Sequence, residues 1–118
     1  MRLPYPESVR IDRSKITEYL LNPTHRYGAS KARFFAEFGF GLVNWDALAI
    51  ALREHARKNE VARWKETPFG QRFEVEGAIE TPSGARPRVR SVWQMDEGEV
   101  FPRLITAYPL EVEHDSGT

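Results

Sequence analysis

The chain has 118 residues, no cysteine and a formal net charge of zero, and 41% of it is apolar, including three Trp and seven Phe. That suffices for one hydrophobic core and not for two, so a single domain is expected over residues 1–110, followed by an acidic, fraying tail at 111–118. The absence of cysteine excludes a disulfide framework and a thiolate zinc site and suits a reducing cytoplasm, the opening Met1-Arg2-Leu3-Pro4-Tyr5-Pro6 is unlike a secretory signal, and no apolar run approaches the roughly 20 residues of a membrane span.

In chain order, Val9-Arg10-Ile11-Asp12 is expected as a short lead-in strand. Ser14 follows as an N-cap for a first helix over Lys15 to Leu21, in which Ile16, Tyr19 and Leu20 recur at i, i+3 and i+4. Asn22-Pro23 ends it, because a residue before proline avoids helical angles. After a loop over Thr24 to Ala29, Ser30 is expected to cap a second helix from Lys31 to Phe38, closed by Gly39. A third begins after Asn44, with Trp45, Leu48, Leu52 and Ala56 at helical spacing and Arg57 and Lys58 suiting its C-terminal dipole.

From Val61 the period changes to two. Phe73, Val75, Gly77 and Ile79 alternate with Arg72, Glu74, Glu76 and Ala78, the pattern of a strand with one buried and one wet face. Thr81-Pro82-Ser83-Gly84 supplies a turn, Arg88 to Met95 a return strand, Glu97-Gly98-Glu99 a second turn, and Arg103 to Tyr108 a last strand closed by Pro109. With Val61 to Thr67 as the first strand, the expectation is an α+β fold: about three N-terminal helices packed on one face of a four-stranded antiparallel meander.

Zero net charge argues against a generic basic nucleic-acid coat, yet it hides an asymmetry. Residues 1–65 carry 12 Lys/Arg against 7 Asp/Glu, and residues 66–118 carry 5 against 10. The two halves either pair their charges or leave a basic site for an anionic ligand on the helical half.

The densest polar segment is His25-Arg26-Tyr27-Gly28-Ala29-Ser30-Lys31-Ala32-Arg33. Its cations, a flexible Gly and a Ser gather where a helix begins and unpaired backbone N–H groups favour an anion. Lys31 is informative, because a cation in the first helical turn opposes the macrodipole by a few tenths of a kcal/mol. Either a bound phosphate or a salt bridge to the sheet half would account for it. His25 titrates in the range needed for general acid/base work, although a lone loop His is also an ordinary turn residue. His55 and His114 share no metal-ligand spacing with it, so neither metal nor cofactor is expected. On the sheet, Arg86, Arg88 and Arg90 recur at spacing two, either to bind phosphate or to pair with Glu74, Glu76 or Glu80. Thr106 and Tyr108 share one strand face and Ser91 and Trp93 another, with hydroxyls that could donate to a developing charge or simply serve as β-formers.

Lys15-Ile16-x-x-Tyr19-Leu20-Leu21-Asn22-Pro23-x-His25-x-x-Gly28-x-Ser30-Lys31-Ala32-x-Phe34-Phe35, then Gly39-Phe40, then Pro102-Arg103-Leu104-Ile105-Thr106-Ala107-Tyr108-Pro109, resembles a small bacterial domain of unknown function. The pattern is also similar to C-terminal modules of polymorphic and contact-dependent toxins, in the superfamily that groups barnase, EndoU, the tRNA-cleaving colicins and RelE. Carried over residue by residue, the resemblance implies His25 as general acid or base, Lys31 as the cation on the scissile phosphate, and Thr106 with Tyr108 as hydrogen-bond donors. Arg90 is a weaker candidate there for a second phosphate contact, and Ser30, Arg33 and Ser91, by their place beside these residues in the sequence, are further candidate substrate contacts. The implied reaction is metal-independent RNA cleavage by attack of a ribose 2′-hydroxyl, and the implied partners are RNA and a small acidic antitoxin or immunity-like protein. The alternative is a non-catalytic module that holds a protein or an anionic ligand at the same loop. Geometry distinguishes the two, since cleavage requires His25, Lys31 and Thr106 or Tyr108 to converge.

Overall fold

The C-terminal half builds four strands, β1 (Val61–Thr67), β2 (Gly70–Ala78), β3 (Arg88–Asp96) and β4 (Arg103–Pro109), with alternate burial clearest along β2. In this computed structural model, which describes residues 1–110, they form one antiparallel sheet in the order β1-β2-β3-β4. The expected α+β meander is thus observed, while the tail expected at 111–118 lies outside the described residues. The first hairpin turns at Pro68-Phe69. Gly70 takes φ +133° there, and a Cβ on it would stand 2.2 Å from the Met95 carbonyl oxygen.

Register assigns each side chain a face. The pairings Phe73↔Trp93, Val75↔Ser91, Gly77↔Val89 and Ser91↔Ala107 define the core face, whose apolar side chains are all buried. The opposite face carries three cross-strand rows. Glu76↔Arg90↔Tyr108 is followed by Arg63↔Glu74↔Val92↔Thr106 and then by Lys65↔Arg72↔Gln94↔Arg103.

Three helical segments precede the sheet: α1 (Arg13–Lys15), running directly into a π-helical turn (Ile16–Leu20), then α2 (Ala29–Glu37) and α3 (Trp45–Lys58). Leu48, Leu52, His55 and Ala56 of α3 are buried against the core face, in one apolar cluster with Ile16, Leu20 and Phe35. No single helix among the described residues is long and apolar enough to cross a membrane.

Several boundaries differ from expectation. Ser14 lies inside α1, which starts one residue earlier, with Lys15 N–H bonded to the Asp12 carbonyl at 3.0 Å. The lead-in strand reduces to one parallel bridge, Arg10↔Arg103, which covers the start of β4. Ser30 is not the cap of α2 either. Gly28 takes the N-cap position, with no side-chain cap, and Ala29 N–H is bonded to the His25 carbonyl at 3.1 Å.

Candidate functional site

The π-helical turn is the local feature from which the site grows. Leu21 N–H reaches back five residues to the Ile16 carbonyl at 2.8 Å, so the turn is wider than an α-helical one. Ile16 and Leu20 still enter the core, but Tyr19 is left half-buried and directed at the edge of the sheet. Its hydroxyl lies 2.9 Å from Thr106 Oγ1, which joins the first helical segment to the last strand. The Tyr19 ring is also a meeting point. Lys15 Nζ lies 5.2 Å and Lys31 Nζ 5.6 Å from its centroid, and the His25 ring meets it edge to face at 5.0 Å.

The loop that brings His25 there is built from local side-chain bonds. Asn22 Oδ1 accepts the backbone N–H and the hydroxyl of Thr24, at 3.0 and 2.8 Å, in a turn of the kind Asn favours after a helix. His25 Nδ1 then accepts two backbone N–H groups, Tyr27 at 2.9 Å and Gly28 at 3.0 Å. With two donors on Nδ1, the neutral imidazole carries its proton on Nε2. Gly28 is required for space: its φ of −97° is ordinary, but a Cβ would stand 2.2 Å from the Tyr19 carbonyl oxygen.

Lys31, in the first turn of α2, donates to the Tyr27 carbonyl at 3.1 Å, and its ammonium also lies 6.0 Å from the centroid of Tyr108. Among the described residues it has no carboxylate partner, so the salt bridge to the sheet half is not what holds it. Arg90 behaves differently. Its guanidinium donates to Tyr108 Oη at 3.2 Å and to Glu76 Oε2 at 2.5 Å, with Glu74 Oε1 at 3.4 Å. The Tyr108 hydroxyl and the Glu76 carboxylate together raise its pKa above the usual arginine value. Arg90 therefore reaches the cluster through Tyr108 with its charge matched by two glutamates.

The structure thus brings His25, Lys31, Thr106, Tyr108 and Arg90 into one connected group around Tyr19 and Tyr108. Ser30 and Arg33 lie on the exposed surface of the adjoining helix. Ser91 is a correction. It is fully buried on the core face, where its Oγ lies 3.0 Å from His55 Nδ1 and accepts Trp93 Nε1–H at 2.8 Å. Consecutive strand residues face opposite ways, so Arg90 and Ser91 could not both contribute to one surface.

Tyr19 and Lys15 are the members that sequence reasoning missed. Tyr19 had been read as part of an apolar stripe, although a buried phenol needs a partner for its hydroxyl, and that was the available signal. Two pockets, of about 440 and 290 Å³, lie away from this group, beside Gly70 and Asp96 and between α3 and Pro82. Chemically, an ammonium, hydroxyls and an imidazole N–H gathered around the Tyr19 ring are donors suited to an anion.

A family model described as a domain of unknown function, DUF6883, matches residues 2–111. No curated protein sequence matches the chain. Among solved structures, one chain of the contact-dependent growth inhibition toxin–immunity protein complex from Klebsiella pneumoniae 342 superposes with a TM-score of 0.68 at 18% identity, covering 85% of this chain and 98% of that one. At that identity the likeness establishes a shared fold.

Proposed function

The chain belongs to the DUF6883 family of domains of unknown function, and we propose that it is an endoribonuclease of the bacterial toxin kind, kept silent by an acidic partner protein that covers the Tyr19-centred site. The observation that carries this reading is Lys31. A cation is held in the first turn of a helix, against the macrodipole, near the rings of Tyr108 and of Tyr19, whose hydroxyl is bonded to Thr106. A phosphodiester supplies the charge this arrangement lacks. The shared fold with a chain of a toxin–immunity complex supports both the toxin kind and a protein partner.

In the reaction, the ribose 2′-hydroxyl gives its proton to a solvent base as its oxygen bonds to phosphorus, and the 5′-oxygen departs and takes up a proton. Lys31 neutralises the phosphate, while Thr106 and Tyr108 donate to its oxygens. His25, with Nδ1 occupied by two backbone donors, keeps its proton on Nε2 and donates a hydrogen bond to the departing oxygen; it acts as general acid only as the imidazolium, once Nδ1 is released from those two donors. The same occupied Nδ1 is the observation that favours the second reading, a binding module in which His25 only shapes the loop.

Incubation of total bacterial RNA with the purified protein in EDTA tests the proposal. Discrete fragments from the wild type that are lost in both His25→Ala and Lys31→Ala are the expected result. Intact RNA from all three proteins, folded and free of partner, would overturn the nuclease and leave the binding module.

A further inference from the structure

The wet face of the sheet holds a second set of donors, one row along the strands from Thr106. The row Lys65↔Arg72↔Gln94↔Arg103 runs across all four strands and contains three cations, one amide and no carboxylate. Asp96, just beyond its end, binds Arg103 at 2.6 Å. Lys65 is exposed and has no ion pair among the described residues. Gln94 is only 1% exposed. Its Oε1 accepts Arg72 Nε–H at 3.2 Å, which fixes the amide so that Nε2 carries the free protons. That Nε2 is the one buried side-chain polar atom without a hydrogen-bond partner among the described residues. An orphaned donor at such a position costs about 1–3 kcal/mol, and its retention among guanidinium groups asks for an acceptor.

We infer that this row is a backbone-binding track for a single-stranded RNA, taking the phosphate next to the one at Lys31 and Thr106. The inference rests on the nuclease reading of that site and extends it to the substrate's neighbouring nucleotide. Three features favour it. The pleat separates the row from Thr106 by about 7 Å, a step suited to successive phosphates. α3 packs on β2 and β3 from the other side, so it leaves this face open. The recognition groups are donors without aromatic rings among them, which reads phosphate and not base identity. The RNA oxygen reaches Gln94 Nε2 by parting the side chains of Arg72 and Arg103, both partly exposed.

The test uses 2′-O-methyl oligonucleotides, which cannot be cleaved, with binding read by fluorescence anisotropy over a salt series. Gln94→Glu keeps the shape and the tie to Arg72 while replacing the donor with a negative acceptor; Lys65→Ala removes an exposed cation with little risk to folding. A hexanucleotide should bind at least ten-fold more weakly to Gln94→Glu. With Lys65→Ala its salt slope should fall by about 0.7. A dinucleotide, too short to occupy both rows, should bind all three proteins alike. Hexanucleotide binding unchanged in both folded variants overturns the track, as does wild type that binds neither oligonucleotide. So does loss confined to a polyglutamate peptide, which would give the row to a protein partner. If the wild type cleaves no RNA yet the variants lose hexanucleotide binding, the nuclease reading fails and the track stands.

Discussion

At the scale of single residues, two side chains sit where one chemical change has a calculable result. His55 is 2% exposed, with Nε2–H shared between the Gly77 and Val89 carbonyls at 3.1 and 3.2 Å and Nδ1 facing Ser91. Burial lowers its pKa below the ordinary histidine value, and the bonds to the two carbonyls oppose this in part. The unfolded chain therefore takes up a proton more readily than the folded one. The contribution to stability is complete above about pH 6.5 and is lost as the pH falls from there through the lowered folded value. Urea unfolding from pH 8 to pH 5 should show that decline in the wild type. His55→Gln should be less stable throughout, by about 1–3 kcal/mol, with the decline reduced. A parallel decline in both proteins would mean that another group titrates. Tyr19 offers the second case. Its bond to Thr106 spans 87 positions of sequence, and a double-mutant cycle of Tyr19→Phe and Thr106→Val should give a coupling of about 0.5–1.5 kcal/mol in thermal or urea unfolding. A coupling of zero would mean that the two hydroxyls do not bond in solution.

At the scale of elements, two glycines, Gly28 before α2 and Gly77 in β2, differ in what a methyl group would meet. On Gly28 it would strike the backbone oxygen of Tyr19 at 2.2 Å, whereas on Gly77 it would strike the side-chain amide of Asn59 at 2.1 Å. A backbone segment cannot step aside without carrying the π-helical turn and His25 with it. The Asn59 side chain can rotate, at the loss of its bond to the His55 carbonyl. Gly28→Ala should therefore cost more, about 3 kcal/mol against about 1 for Gly77→Ala, read from urea midpoints. The reverse order would place the strain in α3 and not in the loop. This contrast also marks what could be read from sequence. Period two marks β2, which has one dry and one wet face, whereas β1 holds no buried residue, and Asn44 with the spacing of Leu48 and Leu52 marks α3. The π-helical turn was not legible, since Ile16, Tyr19 and Leu20 suit an α-helical stripe equally well. Nor was the start of α2 after an uncapped Gly28, because Ser30 is the commoner cap and the bonds to the His25 ring that shape the preceding turn leave no periodic signal. His25, Lys31, Thr106 and Tyr108 stood out by chemistry. Tyr19, which links them, was hidden by the stripe it belongs to.

At the scale of the whole molecule, the charge asymmetry changes its meaning once the chain is folded. Pairing between the two halves is limited: Lys58 with Glu80 at 3.5 Å and Arg10 with Asp96 at 3.9 Å bridge them, while Arg57–Glu54, Arg90–Glu74, Arg90–Glu76 and Arg103–Asp96 are pairs within one half. The segregation is by surface. Lys15, Lys31, Arg63, Lys65 and Arg72 belong to the β4 edge and the wet sheet face. Glu66, Asp96, Glu97 and Glu99 line the pocket at the end of the sheet where β1 turns into β2. The molecule measures 40 × 40 × 26 Å. At about 0.01 M salt the screening length is near 30 Å, so a resin senses the whole protein; at about 0.1 M it is near 10 Å, and a resin senses one patch. A chain of zero net charge with evenly mixed charges should be held by neither a sulfonate nor a quaternary-amine column at pH 7. With its charges segregated, this protein should be retained by the sulfonate resin near 0.05 M salt, and Lys31→Ala combined with Lys65→Ala, which takes the net charge from zero to about −2, should elute earlier. Flow-through from the sulfonate resin under those conditions would mean that the basic surface does not act as a unit. It would also remove the electrostatic basis for both the anionic substrate and the acidic partner.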